Sequence, residues 1–129
     1  MATAGRGKAI QPRGNVFVTD FLPGEDAARR ADLVVCNGGS PTTSQALLAG
    51  VPVIGVPSNL DQHLNMTYLA RAGAGATVRP GPGMVRALKV TVEQTLGSDA
   101  VRRRAAELGQ RMSTYSPARI FPEIVGGMV

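Results

Sequence analysis

The feature that most constrains this chain is the stretch 32–62, DLVVCNGGSPTTSQALLAGVPVIGVPSNLDQ. It opens on Leu33-Val34-Val35-Cys36, a short apolar run rich in β-branched residues. Such a run fits a strand buried on both faces, as in a parallel sheet. Asn37-Gly38-Gly39 follows, where two glycines let the backbone turn sharply and approach another group closely. Ser40-Pro41 then signals a helix start: a hydroxyl that can cap, and a proline whose missing N–H costs nothing in the first turn. The spacing predicts a helix over 41–49 that stops at Gly50, and a second buried strand over 52–56. Strand, glycine turn, capped helix and strand make a βαβ unit.

A chemical consequence follows from that order. Gly38, Gly39, Ser40, Thr42 and Thr43 gather at a helix N-terminus beyond the carboxyl end of a strand. Unpaired N–H groups and the helix dipole favour an anion there, and the hydroxyls add donors. A phosphate or diphosphate suits this place, although the spacing is neither the dinucleotide fingerprint nor the P-loop with its lysine. The same residues also fit a tight strand-to-helix turn that binds nothing.

The loop after the second strand, Ser58-Asn59-Leu60-Asp61-Gln62, enters another helix. In an open α/β sheet the loops at the carboxyl ends of adjacent strands line one crevice. Asp61 and Gln62 are therefore expected to face the same space as the 38–43 turn. A carboxylate beside a carboxamide accepts from and donates to neighbouring hydroxyls, as a polyol requires. Helix capping by Asp61 is the plainer alternative. Phosphate cradle and hydroxyl clamp together describe a nucleotide-sugar site.

At this point the residues resemble a known family. Asn37-Gly38-Gly39-Ser40-Pro41-Thr42-Thr43-Ser44-Gln45, then Gly50-Val51-Pro52, then Asp61-Gln62 with Asn65, is similar to the donor-binding signature of UDP-glycosyltransferases. The resemblance extends more loosely from Asn15 to the C-terminus. It implies the C-terminal Rossmann-like domain of a two-domain, metal-independent GT-B enzyme, closest to bacterial transferases acting on lipids or natural products. It implies donor diphosphate binding by Asn37, Gly38, Gly39, Ser40, Thr42 and Thr43, ribose binding by Gln45, and sugar binding by Asp61 and Gln62. Phe21, Leu22 and Pro23 fall on the nucleobase side. Two positions and one short segment depart from the family pattern. Asn37 stands where a histidine is usual and cannot carry charge, Gln45 stands where plant members have glutamate, and Phe21-Leu22-Pro23-Gly24 replaces a Trp-x-Pro-Gln segment.

Composition narrows the alternatives. The 129 residues suffice for one domain and one core, and 43% hydrophobic with 18% charged content is globular rather than disordered. Fourteen Lys plus Arg against nine Asp plus Glu give a net charge of +5, yet aromatics are only 4% and do not interleave with the basic residues. Nucleic acid is therefore not an expected partner, whereas peripheral contact with acidic lipid headgroups stays open. Arg102-Arg103-Arg104 reads as a solvated helix face. No apolar run reaches membrane-spanning length and no signal peptide is evident, so a cytoplasmic location is the expectation. One cysteine, Cys36, excludes an intramolecular disulfide and a cysteine-cluster metal site. No cofactor and no metal are expected, only a UDP-sugar or dTDP-sugar donor as substrate.

Taken in order, residues 1–14 read as an irregular segment and 15–129 as a single Rossmann-like nucleotide-sugar-binding domain. Strands are expected over 15–19, 33–36, 52–56 and 76–79, and helices over 24–31, 41–49, 61–72, 84–96 and 99–113, with a last helix toward Val125 kinked or shortened by Pro122. Ser58 and Asp61 are expected to cap the 61–72 helix. The 84–96 helix should bury a face of Val85, Leu88, Val92 and Leu96. The expectation is an α/β fold with a parallel sheet of about four strands flanked by helices, one incomplete half of the GT-B architecture. By the family pattern two further strands would separate 15–19 from 33–36, so 15–19 should pair directly with 33–36 or take strands from a partner. Residues 1–4 read as a remnant of one missing strand. The expected function is donor binding within a glycosyltransferase that moves a hexose to an acceptor hydroxyl, inactive without an acceptor-binding N-terminal domain or partner chain. A non-catalytic or split-transferase subunit is the alternative, and a sugar-nucleotide epimerase fragment ranks below both. No catalytic residue is assigned: His63, the only histidine, reads as an exposed first-turn residue.

Overall fold

The computed structural model describes residues 11–115 and 117–128. Its elements run α1 (Gly24–Arg29), β1 (Val34–Cys36), α2 (Ser40–Leu48), β2 (Val53–Gly55), α3 (Leu60–Arg71), β3 (Gly75–Thr77), α4 (Met84–Leu96), α5 (Asp99–Ser113) and α6 (Pro117–Gly126). The three strands form one parallel sheet in the order β1-β2-β3. Val34 pairs with Val53, and Val53 with Gly75. Each crossover is a helix, as parallel neighbours require.

The apolar pattern explains the layering. β2 is buried along its whole length because a strand covers each edge and helices cover its faces. Ile54, Met66 and Val53 are fully buried and centre the core. α5 packs on α2 through Ala105, with Leu108 and Met112 against the same core, which is the face its periodicity predicts. Gly109 permits the approach: a Cβ there would run into the carbonyl oxygen of Leu47. Fully burying one such aliphatic side chain contributes about 1.5–3 kcal/mol, so this two-helix contact carries a sizeable share of the fold.

Several expectations need correction. Residues 15–19 do not form a strand. A turn over Gly14 and Asn15 gives an isolated antiparallel bridge between Arg13 and Val16, and Thr19 is a lone bridge residue rather than part of a strand; Phe17 is 79% exposed. The sheet among the described residues therefore has three strands rather than four, and the outer edge of β1 carries no strand there. The direct pairing of 15–19 with β1 does not occur. Val35 in β1 is 47% exposed. α4 turns a different face inward. Thr95 is buried and Leu88 and Val92 half-buried, whereas Val85 is 77% exposed and Leu96 is exposed. A periodicity count ranks side chains by apolarity, but the register of α4 against the sheet buries a threonine instead. α6 continues through Pro122. The remnant strand expected over 1–4 and the first ten residues of the irregular segment expected over 1–14 lie outside the described residues.

Candidate donor site

The site is built at the carboxyl edge of the sheet, where β1 runs into α2 and β2 into α3. After Cys36 the chain reverses at Gly38, whose φ of 84° belongs to the left-handed region. Space demands glycine there as well, because a Cβ would lie 2.5 Å from Met66 Cγ. Gly39 differs. Its φ of −67° suits any residue, and a Cβ would find nothing closer than Asn37 Oδ1 at 3.3 Å. Glycine at 38 serves the fold, and glycine at 39 leaves the N-terminus of α2 uncovered.

Gly39, not Ser40, is the N-cap of α2, and Ser40 is its first helical residue, followed by Pro41. The Asn37 side chain takes over part of the capping role: its Oδ1 accepts from the Gly39 N–H at 3.0 Å. The helix start leaves the N–H groups of Ser40 and Thr42 without intrahelical partners, beside two exposed hydroxyls. Thr43 faces inward. It is 2% exposed, and its hydroxyl lies 3.2 Å from the Gly39 carbonyl oxygen and 3.1 Å from that of Ser40. Cys36 closes the turn from below, accepting from the Gly38 N–H at 3.3 Å. Desolvation pushes its thiol pKa up, while the Gly38 hydrogen bond opposes the shift.

On the β2 side, Asn59 is the N-cap of α3, accepting from the Gln62 N–H at 3.0 Å, so neither Ser58 nor Asp61 caps that helix. The Gln62 Oε1 accepts from the Ser58 N–H at 2.9 Å and from the Ser58 hydroxyl at 3.2 Å. This holds Gln62 against its own loop, and its NH₂ group donates to no partner among the described residues. Asp61 is exposed in the first turn. Asn65, one turn further on, reaches across to the other half: its Nδ2 donates to the Gly38 carbonyl at 2.7 Å and to Thr43 Oγ1 at 2.9 Å. Nothing in the sequence beyond its spacing from Asp61 marks Asn65 as the residue that joins the two loops.

The remaining candidates line a neighbouring cleft of about 1,040 Å³ along the outer edge of β1. Its lining includes Phe21, Leu22, Val34, Val35, Thr42 and Gln45. Gln45 is packed against Gly24, where a Cβ would meet its carboxamide. Pro23 is the N-cap of α1 and does not line the cleft. Thr42 belongs both to the first turn of α2 and to the lining of this cleft. Among the described residues no group of three or more His, Cys, Asp or Glu could hold a metal ion, and no helix is long and apolar enough to cross a membrane.

A parallel sheet with a glycine turn and two helix N-termini at its carboxyl edge is the nucleotide-sugar-binding architecture of GT-B glycosyltransferases. The chain belongs to the family described as the erythromycin biosynthesis protein CIII-like, C-terminal domain, whose pattern matches residues 4–126. It is 52% identical over 109 residues to a PGL/p-HBAD biosynthesis glycosyltransferase of Mycobacterium tuberculosis, covering 84% of this chain and 26% of that protein. It is also 52% identical over 107 residues to a PGL/p-HBAD biosynthesis rhamnosyltransferase of Mycobacterium bovis, covering 83% of this chain and 24% of the relative. The chain thus spans about a quarter of the length of these relatives. Among solved structures it is similar to the spinosyn forosaminyltransferase SpnP, with a TM-score of 0.83 at 22% identity over 94% of this chain and 33% of that one. It is also similar to the Streptomyces sp. SF2575 glycosyltransferase SsfS6 complexed with thymidine diphosphate. That match has a TM-score of 0.75 at 25% identity, over 89% of this chain and 31% of that one.

Proposed function

We propose that this chain binds the nucleotide-sugar donor, a UDP-sugar or dTDP-sugar, of a transferase that moves a hexose to an acceptor hydroxyl. The observation that carries the reading is the Asn65 bridge, which brings the 38–43 turn and the first turn of α3 to one place. The diphosphate sits at the start of α2. The N–H groups and hydroxyls of Ser40 and Thr42 face it, Gly38 and Gly39 allow its approach, and Asn37 and Thr43 shape the turn. Gln45 meets the ribose, the cleft lined by Phe21 and Leu22 takes the base, with Pro23 fixing the entry to α1, and Asp61 with the NH₂ of Gln62 holds the sugar hydroxyls. In the transfer step the acceptor oxygen bonds to the anomeric carbon, the bond from that carbon to the diphosphate breaks, and the helix N-terminus stabilises the charge left on the departing diphosphate. The scheme takes no acceptor site and no general base from the described residues and assigns positioning of the acceptor to a further domain or chain.

Calorimetric titration with thymidine diphosphate, UDP and their glucose conjugates tests the reading. Micromolar to millimolar binding with no turnover by this chain alone is the expected result. Failure of every nucleotide to bind would refute it. A second reading, a subunit that docks on a separate acceptor-binding chain, is favoured by the outer edge of β1, which pairs with no strand among the described residues, since an unpaired strand edge is a template for pairing. A stable complex in which the amides of β1 gain exchange protection would support it.

A further inference from the structure

We propose that Asn65 is a positioning residue for donor binding: it latches α3 to the Gly38 turn and thereby aims the diphosphate-binding N–H groups outward. The inference rests on the donor reading above and adds a residue to which that reading assigns no contact with the ligand. Both protons of the Asn65 carboxamide are committed, at 2.7 Å to the Gly38 carbonyl and 2.9 Å to Thr43 Oγ1. The Thr43 hydroxyl, accepting from Asn65, turns its single proton toward the Gly39 and Ser40 carbonyls. A trans peptide places C=O and N–H on opposite sides. Holding the Gly39 carbonyl inward therefore points the Ser40 N–H out, and holding the Gly38 carbonyl toward Asn65 points the Gly39 N–H at Asn37, as observed. The same residue sits four and three positions after Asp61 and Gln62, on the same side of α3. One side chain thus fixes the turn and its distance from the sugar clamp.

The test uses the whole chain with Asn65→Ala and Asn65→Leu. Leucine is close to asparagine in shape, carries no charge and has no proton for the Gly38 carbonyl. A role in packing alone would leave Asn65→Leu close to wild type, whereas the latch makes it as poor as Asn65→Ala. Titration with thymidine diphosphate should show both variants weakened about tenfold, the effect of losing hydrogen bonds in a partly buried site. Wild-type affinity in Asn65→Leu would overturn the proposal. A readout without ligand separates this idea from the donor reading. Exchange of the Thr43 amide, bonded to the Gly39 carbonyl at 3.1 Å, should quicken in both variants while that of Ile54 stays unchanged. If wild-type chain binds no nucleotide, the donor reading fails while quickened Thr43 exchange still supports the latch. Unchanged Thr43 exchange overturns the latch whatever the nucleotide does.

Discussion

The Gly38 turn and the 11–23 segment supply the two ends of the proposed site, yet they are held by different means. The turn is over-determined. A left-handed glycine, Met66 beneath it, the Asn37 side chain above it and the Asn65 bridge all require the same backbone path. Among the described residues the 11–23 segment shows the short Arg13–Val16 bridge and a Thr19 hydroxyl bonded to the Phe21 carbonyl at 3.0 Å, and its side chains are mostly exposed. A phosphate seat must be rigid before the ligand arrives, since fixed donors lose little entropy on binding. A base wall of apolar side chains tolerates adjustment. The difference teaches that the polar end of the proposed site is preorganised by this chain, and the apolar end much less so.

The largest expected effect is in amide exchange. Val53 and Ile54 should be protected roughly a thousandfold or more over Val16 and Val18, because opening of the central strand approaches global unfolding whereas a solvated bridge opens at almost no cost. Equal, strong protection in a monomer would erase the contrast. Next comes Gly38→Ala. Strain at a left-handed φ and the contact with Met66 together should destabilise the fold by about 3 kcal/mol, read in urea denaturation. Gly14→Ala carries the same φ penalty at 55° but meets nothing within 4 Å, so it should cost about 1 kcal/mol. Similar losses for the two would mean that the turn is not more tightly held.

How far all this was legible in the chain divides along the same line. The βαβ unit, its parallel pairing, and α2, α4 and α5 were legible because glycines, prolines and apolar spacing act locally. So was the bunching of Gly38, Ser40 and Thr42 at a helix start. The 15–19 strand was misread because β-propensity in Val16-Phe17-Val18 expresses itself only beside another strand, and the turn at Gly14 leads the segment elsewhere. The caps were misread by one position at Ser40 and were transferred to Asn59 at α3, since several residues in a row could cap. Asn65 was invisible as a bridge because its partners lie 27 and 22 residues away.

Smaller effects sharpen the comparison within the site. Asp61→Ala with Gln62→Ala should weaken binding of a dTDP-hexose about tenfold while leaving thymidine diphosphate nearly unchanged, as loss of hydroxyl contacts predicts. An equal loss for both ligands would make the pair a structural part of the loop. The smallest effect concerns Cys36. Burial raises its thiol pKa, so the folded state holds its proton more firmly than the unfolded state does. The sign follows: its contribution is fully present below the ordinary thiol range and declines as pH rises through and above it. Cys36→Ala should flatten that alkaline loss of stability, and an unaltered pH profile would contradict it.

The central claim is that a diphosphate binds at the start of α2, and nuclear magnetic resonance titration with thymidine diphosphate tests it most directly. The amides of Gly39, Ser40 and Thr42 should shift most in the wild-type chain. Gly39→Val, which the ordinary φ of −67° tolerates, should abolish those shifts while the exchange protection of Ile54 persists. Shifts that survive in Gly39→Val, or that centre away from the 38–43 turn, would contradict the account.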